Sequence, residues 1–162
     1  MSKMSYKNEF GIAYLKPYPV IASNSTILVV EDNETEQYLL RILLEKFDYN
    51  VEIISSGEKA LEALSGGKRY AAVLMDITLP GIDGCECVRR MRQLKSSART
   101  PVIALTSRSE PEDRKTALQS GMDDYLQKPF DPEELRKLLL RYVYDASKPN
   151  LKTLRPLPPG EA

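Results

Sequence analysis

From Thr26 onward the sequence alternates, five times over, between a short apolar run and a stretch with helical periodicity, and no other feature narrows the fold as far. The runs are Ile27 to Val30, Val51 to Ile54, Ala71 to Met75, Pro101 to Leu105 and Asp124 to Leu126. The first, third and fourth are continuously apolar, as expected of strands covered on both faces. The second and fifth are more mixed and suit the edges of a sheet. Strand–helix–strand units pair in parallel through right-handed crossovers. The order βαβαβαβαβα therefore predicts an α/β domain, a five-stranded parallel sheet with helices on both faces.

The helices have readable ends. Asn33 is placed to cap the first, with Glu36 in the capping-box position, and Leu39, Leu40, Leu43, Leu44 and Phe47 form one apolar stripe. The second runs from about Glu58 to Leu64 and stops at Gly66 and Gly67. The third carries Val88, Met91 and Leu94 on one side. Arg89, Arg90, Arg92, Lys95 and Arg99 read as a solvated face rather than as a dock for an acidic partner. The fourth begins near Pro111 and ends at Gly121. The fifth starts at Asp131-Pro132 and buries Leu135, Leu138 and Leu139. Asp123 and Asp124 read as capping or turn residues.

The flanks differ. Residues 1–25 have no clear period; Tyr6, Phe10, Tyr14 and Tyr18 fall at helical steps, but Gly11 and Pro17 argue against one continuous helix, and a partly docked arm is expected. Residues 145–162, rich in Pro and Lys, read as a flexible tail. The organisation expected is an arm over 1–25, a domain over 26–144 and a tail over 145–162.

Composition removes whole classes of function. The 23 basic and 23 acidic residues cancel, whereas a dedicated nucleic-acid binder carries a basic surplus, so no nucleic-acid partner is expected. No stretch approaches the ~18 apolar residues of a membrane span, and the first residues lack a signal-peptide pattern, so the expected location is cytoplasmic. The two cysteines, Cys85 and Cys87, allow no disulfide framework and read as small packing residues on a helix. There is no histidine, which excludes Ser-His-Asp and Cys-His catalysis and any phosphohistidine within this sequence.

In an open parallel sheet, ligands bind beyond the carboxyl ends of the strands. The first strand ends in Glu31-Asp32, the third in Asp76, the fourth in Thr106, and the fifth leads to Lys128. Three carboxylates, a hydroxyl and an amine converge. Like charges packed together cost several kcal/mol at intermediate dielectric, an order-of-magnitude figure, so the site needs counter-charge beyond Lys128. An all-oxygen pocket suits a hard cation, with Mg²⁺ the cytosolic default and Mn²⁺ an alternative. A carboxylate is also a competent nucleophile for aspartyl-phosphate formation, and Lys128 and Thr106 can neutralise and hydrogen-bond the incoming oxygens.

Four segments, ILVVEDN (27–33), VLMDITLPGIDG (73–84), PVIALTS (101–107) and DDYLQKPF (123–130), resemble in order and spacing a receiver domain of bacterial two-component signalling, the response-regulator family. The resemblance covers nearly all of residues 26–144. It implies a flavodoxin-like (βα)5 sheet in strand order 2-1-3-4-5, with Asp76 as phosphoacceptor. It also implies Mg²⁺ held by Glu31, Asp32, Asp76 and the backbone carbonyl of Thr78. Thr106 matches the switch hydroxyl, Lys128 the site lysine, followed by a Pro129 that is cis in the family, and Tyr125 the switch aromatic. Thr78 and Arg108 occupy positions that tune dephosphorylation, and neither is an amide or carboxylate suited to holding an attacking water. The implied function is a phosphoacceptor switch, not an enzyme beyond its own phosphorylation and dephosphorylation. It would take its phosphoryl group in trans from a histidine kinase or phosphotransfer protein. Its output would be a downstream protein or a homodimer at the face of helix 4, strand 5 and helix 5. The chain is then either a stand-alone regulator or the receiver part of a hybrid sensor kinase.

Two rivals share the predicted sheet. A nucleotide or flavin site needs a glycine-rich first turn, and here that turn is Glu31-Asp32-Asn33, with two negative charges. A degenerate receiver acting as a scaffold would lack some of the five site residue types, and all five are present.

Overall fold

A computed structural model of the protein describes residues 6–7, 13–14, 25–107 and 110–143. Five strands, β1 (Thr26–Val30), β2 (Asn50–Ile54), β3 (Ala72–Asp76), β4 (Val102–Thr106) and β5 (Asp124–Gln127), form one parallel sheet in the order β2-β1-β3-β4-β5. Five helices alternate with them: α1 (Glu34–Lys46), α2 (Gly57–Ser65), α3 (Gly84–Met91), α4 (Pro111–Gln119) and α5 (Pro132–Tyr142). This is the flavodoxin-like arrangement expected, with β2 and β5 at the edges.

The continuous apolar runs are explained by two cores. Side chains alternate across a strand, so Ile27, Val29, Ala72, Leu74, Ile103 and Leu105 pack on one face with Leu40 and Leu44 of α1 and Leu135 and Leu139 of α5. Leu28, Val30, Val73, Met75, Val102 and Ala104 pack on the other with Ala60 and Leu64 of α2, Val88 and Met91 of α3 and Ala117 of α4. Each inner strand is apolar at both parities because each parity meets a helix layer.

Local chemistry sets the helix ends. Asn33, Ser56, Asp83 and Asp131 cap α1, α2, α3 and α5 by accepting backbone N–H bonds, and Pro111 and Pro132 open α4 and α5. Gly67 and Gly121 follow helix ends with positive φ.

Several expectations need correction. Leu39 is not in the buried stripe of α1: it is 50% exposed, and with Tyr38 and Ile42 it leaves an apolar strip facing solvent, because α1 buries only the side bearing Leu40, Leu43 and Leu44. Arg92 is not on a solvated face. Its guanidinium reaches the carbonyls of Gly121, Ser97, Ala98 and Thr100 and the carboxylate of Asp123, at 2.6 to 3.3 Å. Cys85 and Cys87, by contrast, are the small packing residues expected, both buried in the core that encloses the start of α3. In the N-terminal segment, Tyr6–Lys7 pairs antiparallel with Ala13–Tyr14, so Tyr6 and Tyr14 are cross-strand partners rather than helical neighbours. Phe10, Tyr18, Arg108 and the predicted tail lie outside the described residues.

Candidate functional site at the strand carboxyl ends

The register of the sheet assembles the site. Val30 lies opposite Met75, so one further residue along each strand brings Glu31 beside Asp76. The backbone continues the pattern past the strands: Glu31 N–H donates to Ile54 O, Ile77 N–H to Leu105 O and Lys128 N–H to Thr106 O. Between β1 and β3 the strand order reverses, the position where such sheets hold ligands. Glu31, Asp32 and Asp76 each offer a carboxylate oxygen there, all within 4.8 Å of one another.

Two glycines shape the loop after Asp76. A Cβ on Gly84 would lie 2.3 Å from the carbonyl oxygen of Asp76, so only glycine lets α3 start against that backbone. Gly81 has φ +76°, and a Cβ there would strike the carboxylate of Glu58, which accepts a bond from Ile82 N–H at 2.9 Å. The side chain of Asp76 is oriented at both oxygens: Thr78 N–H donates to Oδ1 at 2.9 Å, and Lys128 Nζ stands 3.3 Å from Oδ2.

Lys128 follows β5, ahead of a cis peptide bond to Pro129. Its ammonium contacts three carboxylates: Glu31 at 2.7 Å, Glu36, and Asp76. Burial works against its charged form, but the hydrogen bonds to Glu31 and Glu36 and the charge of Asp76 outweigh it and hold Lys128 above its ordinary range. Burial pushes the fully buried Glu31 carboxyl up to about 8, helped by the adjoining Glu36 and Asp76 and opposed by Lys128 and Asn33 N–H. For Glu36, burial also raises the pKa, yet its bonds to Glu31 and Lys128 prevail and the net shift is downward. The site without a cation is thus a cluster of carboxyl groups tied to one ammonium. Its all-oxygen donor set, with Asp32 exposed at the rim, fits a hard divalent cation.

Thr106 ends β4 and is buried. Tyr125 on β5 is half-buried; burial raises its pKa, and a hydrogen bond with the Thr106 side chain opposes the shift. The structure therefore brings together Glu31, Asp32, Asp76 and Lys128, with Thr78 held by its N–H and the Thr106–Tyr125 pair at the end of the neighbouring strands.

Two contributors were not anticipated from sequence. Gln37 Nε2 donates to Glu31 O at 2.6 Å and anchors the acidic loop. Glu36 was expected to return to Asn33 N–H, but that N–H is taken by Glu31 Oε1 at 3.0 Å, and Glu36 turns to Lys128. The available signal was position: both residues lie in the first turn of the helix that leaves the acidic strand end.

The model of the response regulator receiver domain family matches residues 27–140. Transcriptional regulatory protein YkoG of Bacillus subtilis is 44% identical over 109 residues, covering 67% of this chain and 46% of YkoG. Histidine-protein kinase BarA of Escherichia coli is 38% identical over 117 residues, 72% of this chain and 13% of BarA. Among solved structures, the receiver domain of sensor histidine kinase PA1611 from Pseudomonas aeruginosa, with a magnesium ion in its active-site cleft, superposes with TM-score 0.69 at 39% identity, covering 74% of this chain and 97% of that one. Chemotaxis protein CheY4 of Vibrio cholerae gives TM-score 0.69 at 28% identity, covering 74% and 98%. The chain belongs to the response regulator receiver domain family of two-component signalling. It spans about half of YkoG and a small part of BarA. Among the described residues no helix is long and apolar enough to cross a membrane.

Proposed function

We propose that this chain, within a domain over residues 26–144, accepts a phosphoryl group on Asp76 from a phosphohistidine of a histidine kinase or phosphotransfer protein and thereby changes a partner-binding surface. The observation that carries the reading is Asp76 itself, buried at a strand end, oriented at both oxygens, and sharing its site with Glu31, Asp32 and Lys128. A carboxylate oxygen of Asp76 attacks the phosphorus, the P–N bond of the donor breaks, and the imidazole leaves with the electron pair and takes up a proton. The donor histidine lies outside this sequence, in which no histidine occurs. Glu31, Asp32, Asp76 and the Thr78 carbonyl would hold Mg²⁺ or Mn²⁺, which when bound supplies charge neutralisation for the transferring group. Lys128 orients the acceptor and donates to the incoming oxygens, and Thr106 offers a hydroxyl to the same group.

The Thr106–Tyr125 contact supports a switch. A Thr106 hydroxyl drawn to a phosphoryl oxygen gives up its bond to the ring, and Tyr125 moves inward. The face of α4, β5 and α5 then changes for a downstream protein or a second copy of the chain. The shift is partial, since a ligand moves an equilibrium only by its differential affinity for the two states. Thr78 and Arg108 set the phosphoryl lifetime. The relatives include both a transcriptional regulator and a kinase, and the reading holds for a cytoplasmic stand-alone regulator and for the receiver part of a hybrid kinase alike. Intact-mass measurement after acetyl phosphate and Mg²⁺ tests it: one adduct on the wild type and none on Asp76→Asn are expected, and labelling that survives the substitution refutes Asp76 as acceptor.

A further inference from the structure

The ammonium of Lys128 has three N–H donors and three carboxylate partners, so its donors are fully engaged. A phosphoryl group on Asp76 adds acceptor oxygens and a further negative charge next to this ammonium. To serve them, Lys128 must move and give up a partner. The candidates differ in what release costs. Glu31's side chain is 1% exposed, so a carboxyl oxygen released by Lys128 there has no water to pass to. Glu36's side chain is 40% exposed, and a freed carboxylate there passes to water. Glu36 is also at liberty to hold Lys128 in the first place, because the backbone N–H that a capping-box glutamate would take is bonded to Glu31.

We propose that Glu36 is the exchangeable partner of Lys128, a positioning residue that tethers the ammonium to the first turn of α1 in the unphosphorylated domain and releases it to the phosphoryl oxygens. This rests on Asp76 being the phosphoacceptor. The tether has two consequences of opposite sign. It occupies one of the ammonium's three donors, and Glu36 adds negative charge beside the carboxylates that would bind a cation, so Glu36 favours Mg²⁺. It also competes with the phosphoryl group for the same donor, so Glu36 opposes phosphorylation. Helix capping is a separate matter, since Asn33 accepts from the backbone N–H of Glu36 and a side-chain change leaves that bond in place.

The test is calorimetric titration of wild type and Glu36→Gln with Mg²⁺ alone, and then with beryllofluoride, a phosphoryl mimic, at saturating Mg²⁺. Glutamine keeps the length and helix propensity and removes the charge. Mg²⁺ affinity is expected to fall several-fold, and beryllofluoride affinity to rise by about tenfold, the scale of one charge-assisted hydrogen bond regained by a partly screened ammonium. A structural lesion would weaken both, so affinities that fall together, or that both stay unchanged, overturn the proposal. A rise in Mg²⁺ affinity overturns it as well. Failure of the underlying reading is distinct: wild type itself would then bind no beryllofluoride.

Discussion

Removing the ammonium altogether, by Lys128→Met, isolates the electrostatic character of the site. Methionine keeps the apolar stem and deletes the cation that, among the described residues, touches Glu31, Glu36 and Asp76. Breaking a buried ion pair by deleting one partner costs roughly 3–5 kcal/mol. Lys128 is largely buried, but burial already holds the Glu31 carboxyl above the usual carboxylate range and the half-exposed Glu36 can turn to water, so the lower end applies. The metal-free variant should lose about 3 kcal/mol, which for a domain of this size lowers Tm by about 10 °C. Saturating Mg²⁺ should return most of that loss. A cation that binds only the folded state stabilises it by mass action, and in the variant it meets the same carboxylates without a competing ammonium. Differential scanning calorimetry with EDTA and with Mg²⁺ gives both numbers from one preparation. The Mg²⁺-induced rise in Tm should be larger in Lys128→Met than in wild type. Equal rises would mean that Lys128 and the cation do not act on the same carboxylates, and the reasoning would fail.

Three further outcomes follow from the same geometry. Asp32→Ala should weaken Mg²⁺ binding at least tenfold while leaving the metal-free fold as stable as wild type or slightly more so, because it removes an exposed like charge from the cluster; unchanged affinity by calorimetry would remove Asp32 from the site. Arg92→Ala should destabilise the domain by about 3 kcal/mol in urea unfolding, since it leaves Asp123 and several carbonyls short of a donor; a loss below about 1 kcal/mol would return Arg92 to the solvated class. Burial pushes the Cys87 thiol up to about 12 from an ordinary 9.0, so above pH 9 the unfolded chain loses the proton first and stability falls as pH rises toward 12. Cys87→Ala should flatten that part of the stability–pH profile, and an unchanged slope would contradict the assignment.

The parts legible in the sequence are those fixed by backbone register. A residue at the carboxyl end of a parallel strand has no choice of neighbourhood: once β1, β3, β4 and β5 pair, Glu31, Asp76, Thr106 and Lys128 arrive at one edge of the sheet. The apolar runs carried the fold for the same reason, because a strand covered on both faces has no polar parity. The N-caps at Asn33 and Asp131 were local and equally readable.

What escaped the sequence were long side chains on helices, whose partners are decided by competition. Glu36 fits a capping box by spacing, and spacing alone gives no hint that the buried Glu31 has already taken the N–H it would use. Arg92 shares a charged helix with Arg89 and Arg90. Among the described residues those two pair with Glu86 one turn back, while Arg92 stands at the end of α3, where the chain from Ser97 to Thr100 and the turn at Gly121 expose carbonyls. Identity and period are the same for all three arginines; what differs is the density of unpaired acceptors within reach, a property of the assembled loops. The same logic separates the two kinds of residue at the site. Strand-end carboxylates are brought together whatever their charge, and repulsion among them is built in by the fold. The helix-borne Glu36 joins them through side-chain bonds to Lys128 and Glu31 from a half-exposed position, so its contact with Lys128 is the one that can be exchanged when a stronger acceptor arrives on Asp76.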